Sequence, residues 1–401
     1  VGRTTGQALG RVAGVVDAPL TELRRLQAQA LIRAYPDQIE ADDRGQPVVR
    51  GEVLAVAPSP DALARAREAG FAARTTHGLD DLGLEIVAIT APRAMSATEA
   101  VRRLRALDPG GTYDFNHLYL ESGVAGPVAT DTGTTPAARA GKGVRVGLVD
   151  GGVGRHPSLA AARVIQRGFA AGGVRPSAHG SAVASLLVGR QGRFRGAAPG
   201  SLLYVADVYG DQPTGGSAAI IVRAFAWMAH NAVPVVNVSL VGPPNLTLAA
   251  AVRAMVDRGI LIVAAVGNDG PAAPPLYPAA YSGVVAVTAV DSRRRLLPEA
   301  GRGLHIDFTA PGADMAAAAA QGGYMSVRGT SFAAPLVAGG LARLIDHPGP
   351  AEASRAVAAL GREAYDLGAP GPDPIYGRGL VGFDLRIDPR TVGAGLAERG
   401  R

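Results

Sequence analysis

Two apolar runs stand out along this chain, each stopped by a turn. Val144-Arg145-Val146-Gly147-Leu148-Val149-Asp150 ends in Gly151-Gly152, and Gly259-Ile260-Leu261-Ile262-Val263-Ala264-Ala265-Val266 ends in Gly267-Asn268-Asp269-Gly270. Short continuous runs of this kind predict strands buried on both faces, as in a parallel sheet. Elsewhere the spacing is helical. Val183, Leu186 and Leu187 share one face before Gly189; Ile220, Ile221, Ala224, Phe225 and Met228 form a stripe within 217–231; Leu336, Val337, Leu341, Leu344 and Ile345 follow Gly329-Thr330-Ser331.

The front third has a rhythm of its own. Val53 to Val56 predicts a strand. Ser59-Pro60-Asp61 then starts a helix closed by Gly70, with Pro at the first helical position. Phe71 to Thr75 and Leu84 to Ile89 predict two more strands, and Ser96-Ala97-Thr98-Glu99 is a capping box opening a helix with Val101, Leu104 and Leu107. Thr112 to Tyr119 closes the unit as a strand. The order β-α-β-β-α-β is that of a small α+β ferredoxin-like domain. Before it, Leu20, Leu23, Leu26, Ala30 and Leu31 have the spacing of an amphipathic helix, with packing on the next unit as its plainest use. Val124 to Lys142, rich in Gly, Thr, Ala and Pro, predicts a linker, and the chain beyond Asp384 predicts a loosely packed end. The expected division is therefore 1–49 helical extension, 50–122 ferredoxin-like domain, 123–142 linker, 143–384 main domain and 385–401 tail.

Composition narrows the function classes. The formal net charge of +6 raises nucleic acid as a partner, but Lys142 is the only lysine and the arginines are scattered, with Arg293-Arg294-Arg295 the longest run. No basic stripe interleaved with aromatics, zinc-ligand spacing or phosphate-cradling Gly-Lys-Ser/Thr occurs, so no nucleic-acid partner is expected. The absence of cysteine excludes disulfides and thiol catalysis. The longest uncharged stretch, Ala224 to Val252, is broken by Pro234, Pro243 and Pro244, so no transmembrane segment is expected. The first residue is Val1 rather than Met, which leaves room for a secretory signal already removed.

The candidate chemistry centres on Ser331. The small residues of Gly329-Thr330-Ser331-Phe332-Ala333-Ala334-Pro335 deliver a hydroxyl to a helix N-terminus, where negative charge is favoured. Serine is a weak nucleophile alone and needs a base and an orienting acid. Asp150, at the C-terminal end of its strand, is placed as the acid; by itself it reads equally as the opening of a Gly-Gly turn. His179, at the entrance of the Val183 helix beside Gly180, is placed as the base. The order Asp…His…Ser, with gaps of 29 and 152 positions, resembles the subtilisin-like serine peptidases, and the likeness runs from about Gly143 to Val381.

That resemblance implies a subtilisin-like three-layer α/β fold with a mainly parallel central sheet. It implies catalysis by Asp150, His179 and Ser331, with the side-chain amide of Asn268 and the backbone N–H of Ser331 binding the oxyanion. It also implies that Ser239-Leu240-Val241 pairs with an extended substrate and that Ala265-Val266-Gly267 forms the facing wall of the pocket. Three positions depart from the family pattern: Ser181 and Ala182 stand where it has Thr and His, and Val241 stands where it has Gly. A β-branched side chain at Val241 is expected to crowd the substrate strand or narrow the pocket. The ferredoxin-like unit resembles the family's inhibitory prodomain at the level of pattern. Its tail, Asn116 to about Ser122, would then lie in the cleft, with self-cleavage near Tyr119 or Leu120. The expectation is a secreted or periplasmic serine endopeptidase made as a precursor, with protein or peptide substrates and its own N-terminal domain as partners. The chemistry needs no cofactor. Many members bind structural Ca²⁺, but no Asp-rich oxygen loop locates a site here. A peptidase fold locked by its front domain, serving as a binding or sensing module, is the alternative; an esterase or peptide ligase on the same residues differs only in acceptor and leaving group.

Overall fold

The structure, a computed structural model, describes residues 20–76, 79–129 and 144–392. Its front part comprises helix α1 (Leu20–Ala34), strands β1 (Ile39–Ala41) and β2 (Pro47–Val56), helix α2 (Pro60–Glu68), strands β3 (Ala72–Thr76) and β4 (Ile86–Thr90), helix α3 (Ala97–Leu107) and strand β5 (Thr112–His117). Local chemistry sets both inner helices: Ser59 Oγ accepts from the Ala62 N–H, with Pro60 next, and Ser96 Oγ accepts from the Glu99 N–H. The sheet runs β5-β2-β4-β3, antiparallel throughout, with β1 also paired to β2. This is the split order of a ferredoxin-like unit. Alternation along the strands gives it two apolar faces. Val53, Ala55, Val87 and Ile89 pack with Ala66, Val101, Leu104 and Tyr113, whereas Leu54, Ile86 and Ala88 join the core of the larger body.

The front part ends in the short strand β6 (Leu120–Glu121). The larger body begins with strands β7 (Val124–Ala129), β8 (Arg145–Asp150) and β9 (Arg163–Gly168), helix α4 (Ala178–Val188), and the short strands β10 (Arg190–Gln191) and β11 (Phe194–Arg195). Strand β12 (Leu202–Asp207), helix α5 (Ala218–His230), strands β13 (Val235–Val238) and β14 (Leu240–Val241), helix α6 (Leu246–Asp257) and strand β15 (Leu261–Ala265) follow. It closes with β16 (Val285–Val290), β17 (Ile306–Pro311), β18 (Met315–Ala318), β19 (Tyr324–Arg328), helix α7 (Thr330–Ala342) and helix α8 (Pro350–Glu363). Seven strands form one parallel sheet in the order β17-β16-β15-β13-β8-β12-β9. One apolar core lies between this sheet and α4 and α7, a second between it and α5 and α6. The result is three layers, helix–sheet–helix. The order reverses around β8, so the crevice beyond the carboxyl ends of β8, β12 and β13 is the natural site in such a sheet. Among the described residues, no helix is long and apolar enough to cross a membrane.

Three stretches differ from the sequence expectation. The helix expected near Leu20 is present, but the first sheet begins at Ile39 and Pro47, ahead of residue 50. The expected linker from 123 opens with strand β7, the edge of the sheet β18-β19-β7; residues 130–143 lie outside the described residues. Residues just past Asp384 are tied down: Leu385, Ile387 and Val392 pack on the core, and the Ile387 carbonyl accepts from the Ala316 N–H. Residues 393–401, the rest of that tail, and 1–19 lie outside the described residues.

Candidate active site

Asp150 is the last residue of β8 and is 1% exposed. Its carboxylate accepts from the Gly151 N–H at 2.7 Å and contacts His179 Nδ1 at 2.9 and 3.0 Å. His179 lies in the first turn of α4, whose N-cap Ser177 accepts from the Gly180 N–H. Gly180 faces the end of β8 so closely that a Cβ there would collide with the Gly151 carbonyl. A glycine after the histidine is what lets helix and strand end approach to hydrogen-bonding distance. The contact to Asp150 holds a proton on Nδ1, so Nε2 is the acceptor whenever the ring is neutral. That Nε2 is buried and has no hydrogen-bond partner.

Ser331 sits in the first turn of α7, completely buried. Its hydroxyl donates to the Ser239 carbonyl at 3.1 Å, and the Ser239 hydroxyl donates back to the Ser331 carbonyl at 2.9 Å. The second bond has a covalent cause. Pro335 lacks the N–H that would bond the carbonyl four residues before it, so the Ser331 carbonyl is free for Ser239. The structure thus joins Asp150 to His179 and Ser331 to Ser239 at one sheet edge; in this arrangement the Ser331 hydroxyl is turned to Ser239 rather than to His179. The His179 ring packs on Phe332, the residue after the serine, at 5.3 Å between ring centroids.

Asn268, beyond the end of β15, is clamped: its Oδ1 accepts from the Thr330 N–H at 3.1 Å, and the Thr330 hydroxyl accepts from the Gly267 N–H at 3.1 Å. These bonds aim Nδ2 across the site, where it donates to Ser122 Oγ at 2.8 Å. Ala265, Gly267, Ser239, Leu240 and Val241 all line the same edge, and Ser239, Leu240 and Val241 are buried.

The Subtilase family profile matches residues 141–379 of the chain. The chain belongs to the subtilase family. It is a serine-type endopeptidase, a hydrolase. Subtilisin Savinase of Lederbergia lenta is 34% identical over 269 residues, covering 65% of this subtilase and 94% of its own length. The minor extracellular protease Epr of Bacillus subtilis is 30% identical over 267 residues, covering 64% of this chain but 40% of its own. Fervidolysin from Fervidobacterium pennivorans, a keratinolytic enzyme related to subtilisin, shares the fold at a TM-score of 0.70 and 18% identity, over 86% of this chain and 62% of its own.

In this subtilase the front unit is bonded to the larger body at several points. Leu120 pairs antiparallel with Val241, and Glu121 with Leu240, so Val241 does not keep a strand from pairing there. Tyr119 is fully buried and its hydroxyl donates to the Pro243 carbonyl. Asp114 accepts from the Leu246 N–H at 2.6 Å and Asn116 from the Ala219 N–H at 3.0 Å. Both acceptors thereby cap the N-termini of α6 and α5, where free N–H groups and the helix dipole favour them. On the far side, Arg24 of α1 reaches Asp269 at 2.6 Å, next to Asn268.

Sequence reasoning missed Glu121. Its carboxylate, Asp150 and His179 have atoms all within 4.8 Å of one another. Burial, then the neighbouring Asp150 and Asp207, pushes the Glu121 carboxyl up to about 7 against the pull of His179. Burial alone would push His179 down, but Asp150 and Glu121 outweigh it and hold the imidazole up at about 9. Two carboxylates and one imidazole do not make the six to eight oxygens that Ca²⁺ takes, so this trio does not fit the structural calcium common in subtilases.

Proposed function

We propose that Ser331, His179 and Asp150 form the catalytic triad and that the chain is a precursor whose front unit occupies its own substrate cleft. One observation carries the reading: the Asp150-bound imidazole keeps a buried, unpartnered Nε2 at the same sheet edge as the helix N-terminus bearing Ser331. A turn of the Ser331 hydroxyl from Ser239 toward Nε2 completes the relay. The Ser331 Oγ then bonds to a peptide carbonyl carbon while its proton passes to His179. The C–N bond breaks as His179 returns that proton to the leaving nitrogen, and water releases the acyl group by the same steps. Asn268 and the Ser331 N–H bind the oxyanion. None of these steps needs a metal or cofactor.

The register of β6 on β14 favours the chain's own Ser122–Gly123 bond as the first substrate. Leu120 and Glu121 lie on the strand that the family uses for extended peptides. Ser122 follows against the Asn268 amide, and Gly123 passes so close to Gly329 that a Cβ on Gly329 would lie 2.9 Å from the Gly123 Cα. On this reading the cut falls two or three residues beyond Tyr119 and Leu120. The caps given by Asp114 and Asn116 fit a unit that assists folding of the body it covers. Action outside the cell fits the extracellular relative.

Two observations favour the locked binding module: Ser331 is bonded to Ser239, and the Arg24–Asp269 ion pair adds a contact beside the site. Incubated full-length chain treated with a fluorophosphonate separates the two readings. The peptidase reading expects the label on Ser331 and a new N-terminus at Gly123; unlabelled, uncut chain supports the lock. Asn268→Leu is expected to slow self-cleavage by about 10²–10³, a magnitude whose reference case is subtilisin itself. An unchanged first-order rate would remove Asn268 from the oxyanion site.

A further inference from the structure

We propose that Glu121 is a brake on the chain's own cleavage, acting as a second counter-ion to His179 beside Asp150. The inference rests on the self-cleaving triad reading above. Strand pairing with Leu240 fixes Glu121 one residue before Ser122, and its Oε1 lies 3.6 Å from where a Cβ on Gly151 would stand, against the end of β8. The residue as a whole is partly covered, but its carboxylate belongs to the Asp150–His179 cluster. An imidazole beside two carboxylates keeps its proton, and a protonated imidazole cannot accept another from Ser331. The junction thus brings its own inhibitor of the general base, and departure of the strand takes that inhibitor away.

Each packed element contributes to the charge balance. Asp150 comes from β8, His179 from α4 and Asp207 from the end of β12, where burial raises its carboxyl; Tyr209 follows it. Across the strand stand Arg24, Asp269 and Arg328, lining the same small space as Glu121. Both cations are already paired, Arg24 with Asp269 and Arg328 with Glu299 at 2.8 Å. His179 is the cation whose charge offsets Glu121.

The sign follows. Raised carboxylate pairing means that the neutral, competent imidazole accumulates only as the pH approaches the value of about 9 for His179. Wild-type self-cleavage is expected to rise with pH toward that value. Glu121→Gln keeps the shape and removes the charge, so its acid limb is expected about one unit lower, with about tenfold faster cleavage at neutral pH. Glu121→Asp keeps the charge and is expected to stay near the wild-type limb. The test follows first-order appearance of the Gly123 N-terminus across pH in the three full-length chains. In parallel, NMR follows the His179 ring titration in Ser331→Ala with and without Glu121→Gln, which needs no cleavage. A lower limb and a lower ring titration in Glu121→Gln support the brake; an unchanged ring titration overturns it. Absence of the Gly123 N-terminus in every chain would overturn the self-cleaving reading instead, and the ring titration would still decide whether Glu121 holds the imidazole charged.

Discussion

Ser331→Ala is expected to abolish self-cleavage and to reduce peptide hydrolysis by about 10⁶ in turnover, the loss known for the serine of subtilisin, a member of this family. The substitution removes the hydroxyl that the proposed mechanism bonds to a peptide carbonyl carbon. It also removes the donor to the Ser239 carbonyl, while the reverse bond from the Ser239 hydroxyl to the residue-331 carbonyl stays. One neutral hydrogen bond is worth about 1 kcal/mol, so the fold is expected to persist. Intact mass of the purified chain after incubation is the measurement. Wild type should yield a new N-terminus at Gly123, and Ser331→Ala should remain whole. Cleavage at equal rates in both would mean that another peptidase makes the cut and that Ser331 is not the nucleophile.

The parts of this site that sequence reveals are those whose local context is diagnostic. Asp150 stands where an apolar strand meets two glycines, His179 where a capped helix meets Gly180, and Ser331 where small residues enter a buried helix. Each signal comes from a few neighbouring residues because close backbone approach demands small side chains there; the Gly180–Gly151 contact is the clearest case. The ferredoxin-like unit is legible for a similar reason, since Ser59 and Ser96 are caps that act within one turn.

What escaped depends on partners far away in the chain. Strand β7 reads as linker because it contains Gly126 and Pro127, yet an edge strand tolerates both, and its partner β19 lies some two hundred positions on. Arg24 and Asp269 are 245 positions apart, and nothing near either one announces the pair. Glu121 has no motif of its own. Its raised carboxyl arises only when the register of β6 on β14 brings it to the end of β8. The same register moves the expected cut from Tyr119 or Leu120 to Ser122, because strand pairing decides which residue faces Asn268.

Asp150→Asn is expected to slow self-cleavage by about 10⁴ and to shift what remains toward lower pH. The carboxylate does two things that an amide cannot. It accepts a hydrogen bond from His179 Nδ1–H, fixing the tautomer that the proposed relay needs, and in that relay it stabilises the imidazolium that results. An Asn amide can turn its N–H to Nδ1, which puts the ring proton on Nε2 and blocks the relay. The pH sign follows from the causes acting on the ring. Asp150 raises His179 and burial lowers it, so with the carboxylate gone only Glu121 opposes burial, and the ring loses its proton below the wild-type value of about 9. First-order rates of Gly123 N-terminus formation across pH, in wild type and Asp150→Asn with equal circular dichroism, measure both effects. A loss smaller than tenfold, or a residual activity whose acid limb has not moved down, would show that Asp150 neither orients nor charges this histidine.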